Sequence, residues 1–154
     1  MHSHPTRPPM KPLAHPLSVL VADDDLFAQR LTITMLRQLG HSGVVVADGR
    51  RALDVLGERR FDLVLLDVAM PVLDGVAALA ALRRAELLHP LARPQCVVMM
   101  TAYADADTEQ RLHAAGATGV IFKPFDPLQF RCELQRIRQS AALLSSHPHQ
   151  ECPQ

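Results

Sequence analysis

The sequence predicts an open, doubly wound α/β domain, in which a five-stranded parallel sheet carries helices on both faces. Short apolar runs rich in β-branched residues alternate five times with segments of helical periodicity. The runs are almost continuously apolar, as expected of strands buried on both faces of a parallel sheet. Right-handed crossovers then place helices on either side. The predicted domain, with five helices, spans residues 17–144 of the 154-residue chain.

The composition excludes several classes of protein. Sixteen Lys and Arg balance 16 Asp and Glu, so there is no basic excess of the kind that nucleic-acid binders carry. No apolar stretch approaches the roughly 18 residues that a membrane span requires, and the N-terminus lacks the apolar region of a secretory signal. Three cysteines, an odd number, indicate a reducing compartment rather than a disulfide scaffold. We therefore expect a cytoplasmic protein that binds neither nucleic acid nor membrane.

Five apolar runs define the predicted strands. They cover residues 17–22, 44–47, 61–66, 96–100 and 120–122. A polar residue directly follows each run. In chain order these residues are Asp23, Asp48, Asp67, Thr101 and Lys123.

The helices are predicted at residues 26–39, 52–56, 74–84 and 108–115, and from Pro127 onward. Gly40 and Gly116 follow the first and fourth helices, where a glycine commonly ends a helix. Asp25 directly precedes the first helix and Asp74 opens the third, and both are expected to be N-caps. The side chains expected in the core are Phe27, Leu31, Met35, Leu36 and Leu39 in the first helix, Val76, Leu79 and Leu82 in the third, Leu128, Cys132, Leu134 and Ile137 in the fifth, and Cys96 in the fourth strand.

Both ends of the chain are predicted to be disordered. Residues 1–16 contain five prolines and three histidines without apolar periodicity, and residues 145–154 are similarly polar. Each end holds a His-x-His pair, His2 with His4 and His147 with His149. Two ligands fall short of the four in a typical structural metal site, which favours solvated tail residues over a metal site.

Chemically active side chains follow four of the five strands. In an open α/β sheet ligands bind at the carboxyl ends of the strands, where Asp23–Asp25, Asp67, Thr101 and Lys123 would meet. Clustered carboxylates repel one another unless a cation joins them, and Mg²⁺ prefers oxygen ligands. Three carboxylates set against Mg²⁺ and one lysine give a site of about zero net charge.

A metal ion, a lysine and a hydroxyl are also the groups that neutralise a phosphoryl group during its transfer. A carboxylate can act as the nucleophile and form an aspartyl phosphate. The strand ends therefore predict a phosphoacceptor site. The competing interpretations are a turn or helix cap for Thr101, a surface lysine for Lys123 and a helix N-cap for Asp25.

Four separated motifs stand at the predicted strand ends: Asp23-Asp24, the segment Asp67-Val-Ala-Met-Pro-Val-Leu-Asp-Gly75, Thr101-Ala102, and Lys123-Pro-Phe125. In order and spacing, from about residue 17 to 140, they resemble the signature of bacterial two-component response-regulator receiver domains of the single-domain, chemotaxis-regulator type. The resemblance implies a flavodoxin-like sheet with strand order 2-1-3-4-5. It also implies that a sensor histidine kinase or a histidine phosphotransfer protein donates the phosphoryl group.

The resemblance assigns the acceptor and the metal ligands. Asp67 would be the phosphoacceptor and a ligand of Mg²⁺. Asp24 would bind Mg²⁺ directly, and Asp23 would bind it directly or through water. The backbone carbonyl of Ala69 would be a further ligand, whereas Asp25 matches no ligand position.

The resemblance also assigns the phosphoryl contacts, and here the sequence departs from the family. Thr101 and Lys123 would contact the phosphoryl oxygens, and the peptide between Lys123 and Pro124 would be cis. Many receivers carry Tyr or Phe three residues before the lysine, where this chain has Val120. We hypothesise that Tyr103, the only tyrosine, screens the acyl phosphate from water or reports its state.

The acyl phosphate is predicted to be long-lived, on the side of hours rather than seconds. Some family members carry an amide or acid where this chain has Ala69, and a methyl group cannot orient an attacking water by hydrogen bonding.

No output domain is expected after the last helix, because ten residues are too few to fold into one. The signal is expected to pass by protein–protein binding, on the face formed by the fourth helix, the fifth strand and the fifth helix, in a monomer or weak dimer. The exposed candidates there are Gln110, Arg111, His113, Arg131 and Gln135.

Two alternatives compete with the phosphoacceptor. One is an unphosphorylated, receiver-like scaffold, but a scaffold has no need of so costly a charge cluster. The other is an aspartyl-nucleophile phosphatase, but the acceptor here follows the third strand and not the first. We expect no enzyme, only Mg²⁺-dependent self-phosphorylation and self-dephosphorylation.

Overall fold

The computed structural model describes residues 16–90, 93–124 and 126–145, which form a single sheet with helices on both faces. The strands are β1 (Ser18–Ala22), β2 (Ser42–Val46), β3 (Leu63–Asp67), β4 (Val97–Thr101) and β5 (Gly119–Phe122). The helices are α1 (Leu26–Gln38), α2 (Gly49–Glu58), α3 (Gly75–Leu87), α4 (Ala106–Ala114) and α5 (Pro127–Ser145). All strand pairs are parallel, in the order β2-β1-β3-β4-β5. The doubly wound fold and the implied strand order are confirmed.

The two faces of the sheet carry separate hydrophobic cores. Successive side chains of a strand point to opposite faces, and in β1 Val19 and Val21 pack in one core with α1 and α5. Leu20 and Ala22 pack in the other core with α2, α3 and α4. Because both faces are covered, the strand ends are the places where this sheet presents polar groups.

None of the helices in the described part of the chain combines the length and the apolar composition that crossing a membrane requires.

Aspartates cap the first four helices. The side chains of Asp25 and Asp74 each accept a backbone N–H at 2.8 Å, as the sequence predicts. Asp48 and Asp105 do the same for α2 and α4. Each carboxylate thereby satisfies N–H groups that the start of a helix leaves unpaired.

Several side chains predicted for the core lie at the surface instead. Phe27 and Leu31 on α1 are 76% and 43% exposed, and Val76 on α3 is 37% exposed. On α5, Leu128 and Cys132 are exposed as well. These five core predictions are wrong.

The buried stripe of α5 explains the error on that helix. The stripe consists of Phe130, Leu134 and Ile137, at the spacing of one helical face. Leu128 lies two residues before Phe130, which is about 200° around the helix axis. The prediction for α5 was therefore right for Leu134 and Ile137 and wrong for Leu128 and Cys132.

The element boundaries differ from the predicted ones by one to three residues in most places. β3 and β4 include Asp67 and Thr101 as their last residues, and α5 extends to Ser145. Apart from Pro16 and Ser145, the predicted leader and tail lie outside the described residues, and with them the pairs of histidines and Cys152.

The loop between β3 and α3 folds back onto the end of β3. The N–H of Gly75 donates to the carbonyl of Val68 at 2.9 Å. The backbones approach so closely that a β-carbon at position 75 would overlap the carbonyl oxygen of Asp67. Within the loop Val72 has a positive φ of 68°, in the left-handed region that β-branched residues rarely adopt. The absence of a side chain at Gly75 therefore allows this loop to lie directly against the backbone of Asp67.

At the opposite end of the sheet, His41 joins α1 to β1. Gly40, with φ of 84°, ends α1, and the N–H of His41 donates to the carbonyl of Leu36 at 2.9 Å. The ring Nδ1 of His41 accepts the N–H of Leu17 at 3.0 Å. The ring is buried, and as an acceptor it is neutral, with its proton on Nε2.

We predict that Gly75→Ala lowers the free energy of unfolding by about 1–3 kcal/mol, because the added β-carbon pushes the loop away from β3. The matched control is Gly57→Ala on α2, where a β-carbon meets no atom within 4 Å. That change is expected to raise the free energy of unfolding by about 0.5–1 kcal/mol. Denaturant titration of both variants measures the contrast. A Gly75→Ala variant as stable as the wild type would contradict the close approach.

We predict that His41 makes the stability depend on pH. Burial lowers the pKa of His41 below its ordinary value of 6.5, and the charge of Arg138 lowers it further, while Asp62 opposes the shift. The unfolded chain then binds the proton more readily, so stability is greatest above about pH 6.5 and falls as the pH drops below it.

The control is His41→Asn, which places an acceptor oxygen near the position of Nδ1 and does not titrate. Thermal unfolding between about pH 7.5 and 5.5 should show a shallower fall in Tm for this variant. Parallel profiles for the two proteins would show that His41 does not contribute.

Candidate functional site

The register of the sheet brings the predicted site residues to one edge. Ala22 pairs with Leu66, so Asp23, one residue later, lies beside Asp67. Thr101 ends β4, and Lys123 directly follows β5. The parallel strands thus deliver the carboxylates, the hydroxyl and the ammonium to the same end.

The ammonium of Lys123 joins two buried carboxylates. Its Nζ lies 2.8 Å from Oδ2 of Asp23 and 3.1 Å from Oδ2 of Asp67. Asp23 is completely buried and Asp67 nearly so, whereas Asp24 is exposed. One carboxylate oxygen from each of the three aspartates lies within 4.8 Å of the others. We call Asp23, Asp24, Asp67 and Lys123 the charge cluster.

The charge cluster shifts the proton affinity of its members. Burial raises the pKa of Asp67 above its usual value, and the charge of Asp23 adds to this, while Lys123 acts in the opposite direction. Burial by itself would lower the pKa of Lys123, but its hydrogen bond to Asp23 and the two carboxylate charges outweigh burial and raise it. The lysine is therefore a permanent cation, and one positive charge falls short of balancing the carboxylates.

The donor set of the charge cluster fits a magnesium ion. Each ionised carboxylate offers about four lone-pair positions. Asp23 uses two of them, for Lys123 and for the N–H of Asp25 at 3.0 Å. Asp67 likewise accepts from Lys123 and, at 3.4 Å, from the N–H of Ala69. Oxygens remain for a cation that binds one or two carboxylates and keeps several waters.

Thr101 is buried at the end of β4, on the same edge of the sheet as the charge cluster, and its hydroxyl keeps its donor hydrogen. Its Oγ1 accepts the N–H of Tyr103 at 3.1 Å, so the hydroxyl hydrogen points elsewhere and can donate to an anion. The ring of Tyr103 is 72% exposed. Val120, at the position where many receivers carry an aromatic residue, is buried in the core shared with α2, α3 and α4.

The remaining predicted site residues lie in the loops around the cluster. Ala69 is exposed, two residues beyond Asp67. The peptide between Lys123 and Pro124 is cis. Asp25 caps α1 and donates its backbone N–H to Asp23. Phe125, the last residue of the lysine motif, lies outside the described residues.

Two contacts of the site were not predicted. Gly75 belongs to the motif that begins at Asp67 and starts α3 as expected, but its close approach to the backbone of Asp67 was not foreseen. Gln29 on α1 donates its side-chain Nε2 to the backbone carbonyl of Asp23. A contact from a side chain to a carbonyl six residues earlier has no signature in the sequence.

The arrangement is chemically suited to phosphoryl transfer to a carboxylate. An oxygen of Asp67 would be the nucleophile, Lys123 would contribute a positive charge, and Thr101 would contribute a hydroxyl donor. Such preorganised donors and charges stabilise a phosphoryl group as its charge develops.

Comparison with known proteins agrees with this chemistry. The chain is 35% identical over 119 residues to the transcriptional regulatory protein ZraR of Escherichia coli O157:H7, an alignment that covers 76% of this chain and 26% of ZraR. The chain spans about a quarter of the length of the first curated relatives that it matches.

Two solved structures resemble the fold over most of its length. The chemotaxis response regulator CheY4 of Vibrio cholerae is 31% identical with a TM-score of 0.71, covering 80% of this chain and 99% of CheY4. The receiver domain of the sensor histidine kinase PA1611 of Pseudomonas aeruginosa PAO1, with a magnesium ion in its active site cleft, is 31% identical with a TM-score of 0.66. That alignment covers 82% of this chain and 97% of the PA1611 domain.

A family model matches most of the chain. The model of the response regulator receiver domain matches residues 19–135, a range that contains the charge cluster, Thr101 and four of the five helices in full. An aspartyl phosphate and Mg²⁺ are typical of this family. The chain belongs to the response regulator receiver domain family of two-component signalling.

Proposed function

We propose that this chain is a cytoplasmic phosphoacceptor switch that takes a phosphoryl group on Asp67 in the presence of Mg²⁺ and signals by a change in protein binding. The observation that carries the proposal is the charge cluster: one ammonium within 3.1 Å of two buried carboxylates, next to a third.

In the proposed transfer, an oxygen of Asp67 attacks the phosphorus of a phosphohistidine on a sensor kinase or phosphotransfer protein. The new O–P bond forms as the N–P bond breaks, and the histidine nitrogen keeps the electron pair and takes a proton from water. Receiver domains as a family interact with histidine kinases and phosphotransfer proteins. Lys123 and the hydroxyl of Thr101 would then contact oxygens of the transferred group.

Asp23, Asp24, Asp67 and the carbonyl of Ala69 would hold the Mg²⁺ ion. Bound there, the ion supplies the positive charge that the carboxylates and the incoming phosphoryl oxygens require. The composition of the charge cluster supports this assignment, because three carboxylates stand against one ammonium there.

The proposed output surface is formed by α4, β5 and α5. The side chains expected to be exposed there are exposed, and they are Gln110, Arg111, His113, Arg131 and Gln135. Phosphorylation would act by shifting a two-state equilibrium of this surface toward the state that the partner binds.

The acceptor is tested by intact mass after incubation with Mg²⁺ and a small acyl phosphate. We expect one phosphoryl adduct on the wild type, none on Asp67→Asn and none when the metal is chelated. Asp54→Asn, an exposed aspartate on α2, is the matched control and should be modified like the wild type. No adduct on the wild type would favour an unphosphorylated scaffold.

The lifetime of the acyl phosphate gives a second prediction. With a methyl group at Ala69 and an exposed ring at Tyr103, we expect loss of the adduct over hours with Mg²⁺ present. Tyr103→Ala is expected to shorten the lifetime, because water then reaches the phosphorus more easily. Decay within seconds in the wild type, or an unchanged lifetime in Tyr103→Ala, would contradict this screening.

A further inference from the structure

Gln29 holds the backbone of the acidic pair from the side of α1. Its half-buried side chain donates through Nε2 to the carbonyl oxygen of Asp23. Gln29 is itself fixed, because its backbone N–H donates to the carbonyl of Asp25 at 2.9 Å in the first turn of α1. The amide therefore reaches back over the helix start to the end of β1.

Every polar group of Asp23 is engaged. Its N–H donates to Val46 at 3.1 Å, and its carboxylate accepts from Lys123 and from the N–H of Asp25. Its carbonyl accepts from Gln29. Three of these contacts do not involve residue 29, whereas the carbonyl contact requires a side-chain donor there.

These contacts restrain the backbone on both sides of Asp24. Asp24 is exposed and is joined to Asp23 and Asp25 by two peptide units. The carbonyl of the first unit is held by Gln29, and the N–H of the second is held by the carboxylate of Asp23. With both flanking peptides held, the backbone sets the direction of the Cα–Cβ bond of Asp24 and so the position from which its carboxylate reaches toward the cluster.

We propose that Gln29 is a positioning residue for magnesium binding, which acts by orienting the peptide between Asp23 and Asp24. The inference rests on the proposed Mg²⁺-dependent function. Mg²⁺ demands near-ideal octahedral geometry, and outer partners that orient its ligands typically change metal affinity about 10–100-fold. The affinity for Mg²⁺ then depends on a hydrogen-bond donor at position 29 and not on the net charge of the site.

Two variants separate donor from charge. Gln29→Met keeps the length of the side chain and removes the donor. Gln29→Glu also removes the donor but adds a negative charge, which by electrostatics alone would tighten Mg²⁺ binding. Gln38→Met, the same chemical change on an exposed residue at the last position of α1, is the matched control.

Mg²⁺ affinity is measured by calorimetric titration of each folded, unphosphorylated protein, with thermal unfolding run beside it. We expect about 10-fold weaker binding in both Gln29→Met and Gln29→Glu and unchanged binding in Gln38→Met. Phosphorylation of Gln29→Met by a small acyl phosphate should recover toward the wild-type extent at saturating Mg²⁺.

The outcomes distinguish the two proposals. Wild-type affinity in Gln29→Met, or tighter binding in Gln29→Glu, overturns the positioning role and leaves the phosphoacceptor function standing. A lower Tm without a change in affinity also overturns it, because that is the signature of a purely structural cap. A wild type that binds no Mg²⁺ overturns both.

Discussion

The ammonium of Lys123 stabilises two adjacent carboxylates at the edge of the sheet where the strands have their carboxyl ends. Two buried carboxylates lie side by side because β1 and β3 are neighbours, and their repulsion would destabilise the sheet ends without a cation between them. Lys123 lies within 3.1 Å of both. The chain has 14 arginines and only two lysines, yet a lysine stands here. An ammonium is a compact charge whose three donors can serve both carboxylates at once, whereas a guanidinium presents its donors in a planar fork.

The sequence was sufficient to predict those features that follow from strand order. Once the apolar runs are recognised, the polar residues that end them must share an edge, and Asp23, Asp67 and Lys123 were found in this way. The contact of Gln29 and the close approach of Gly75 to Asp67 escaped prediction for a different reason. Their roles lie in contacts with backbone atoms, a carbonyl in one case and a close approach in the other. Backbone contacts of this kind impose no periodicity on the sequence.

The wrong core predictions have a pattern of their own. Phe27 and Leu128 are largely exposed, and each stands in the first turn of the helix that follows β1 or β5. Val72 and Tyr103, also exposed apolar or aromatic residues, occupy the loops after β3 and β4. Hydrophobic periodicity assumes that apolar residues serve the core. Around the charge cluster that assumption fails, as local rules commonly do next to a functional site.

The ladder between β4 and β5 has a mechanical consequence. The backbone N–H of Lys123 donates to the carbonyl of Thr101 at 2.7 Å, so the two residues that would grip a phosphoryl group are tied by a short, stiff bond. A displacement of either residue would therefore displace the other and be shared by β4 and β5. Since α5 begins four residues beyond the lysine, the start of that helix belongs to the same connected stretch of backbone.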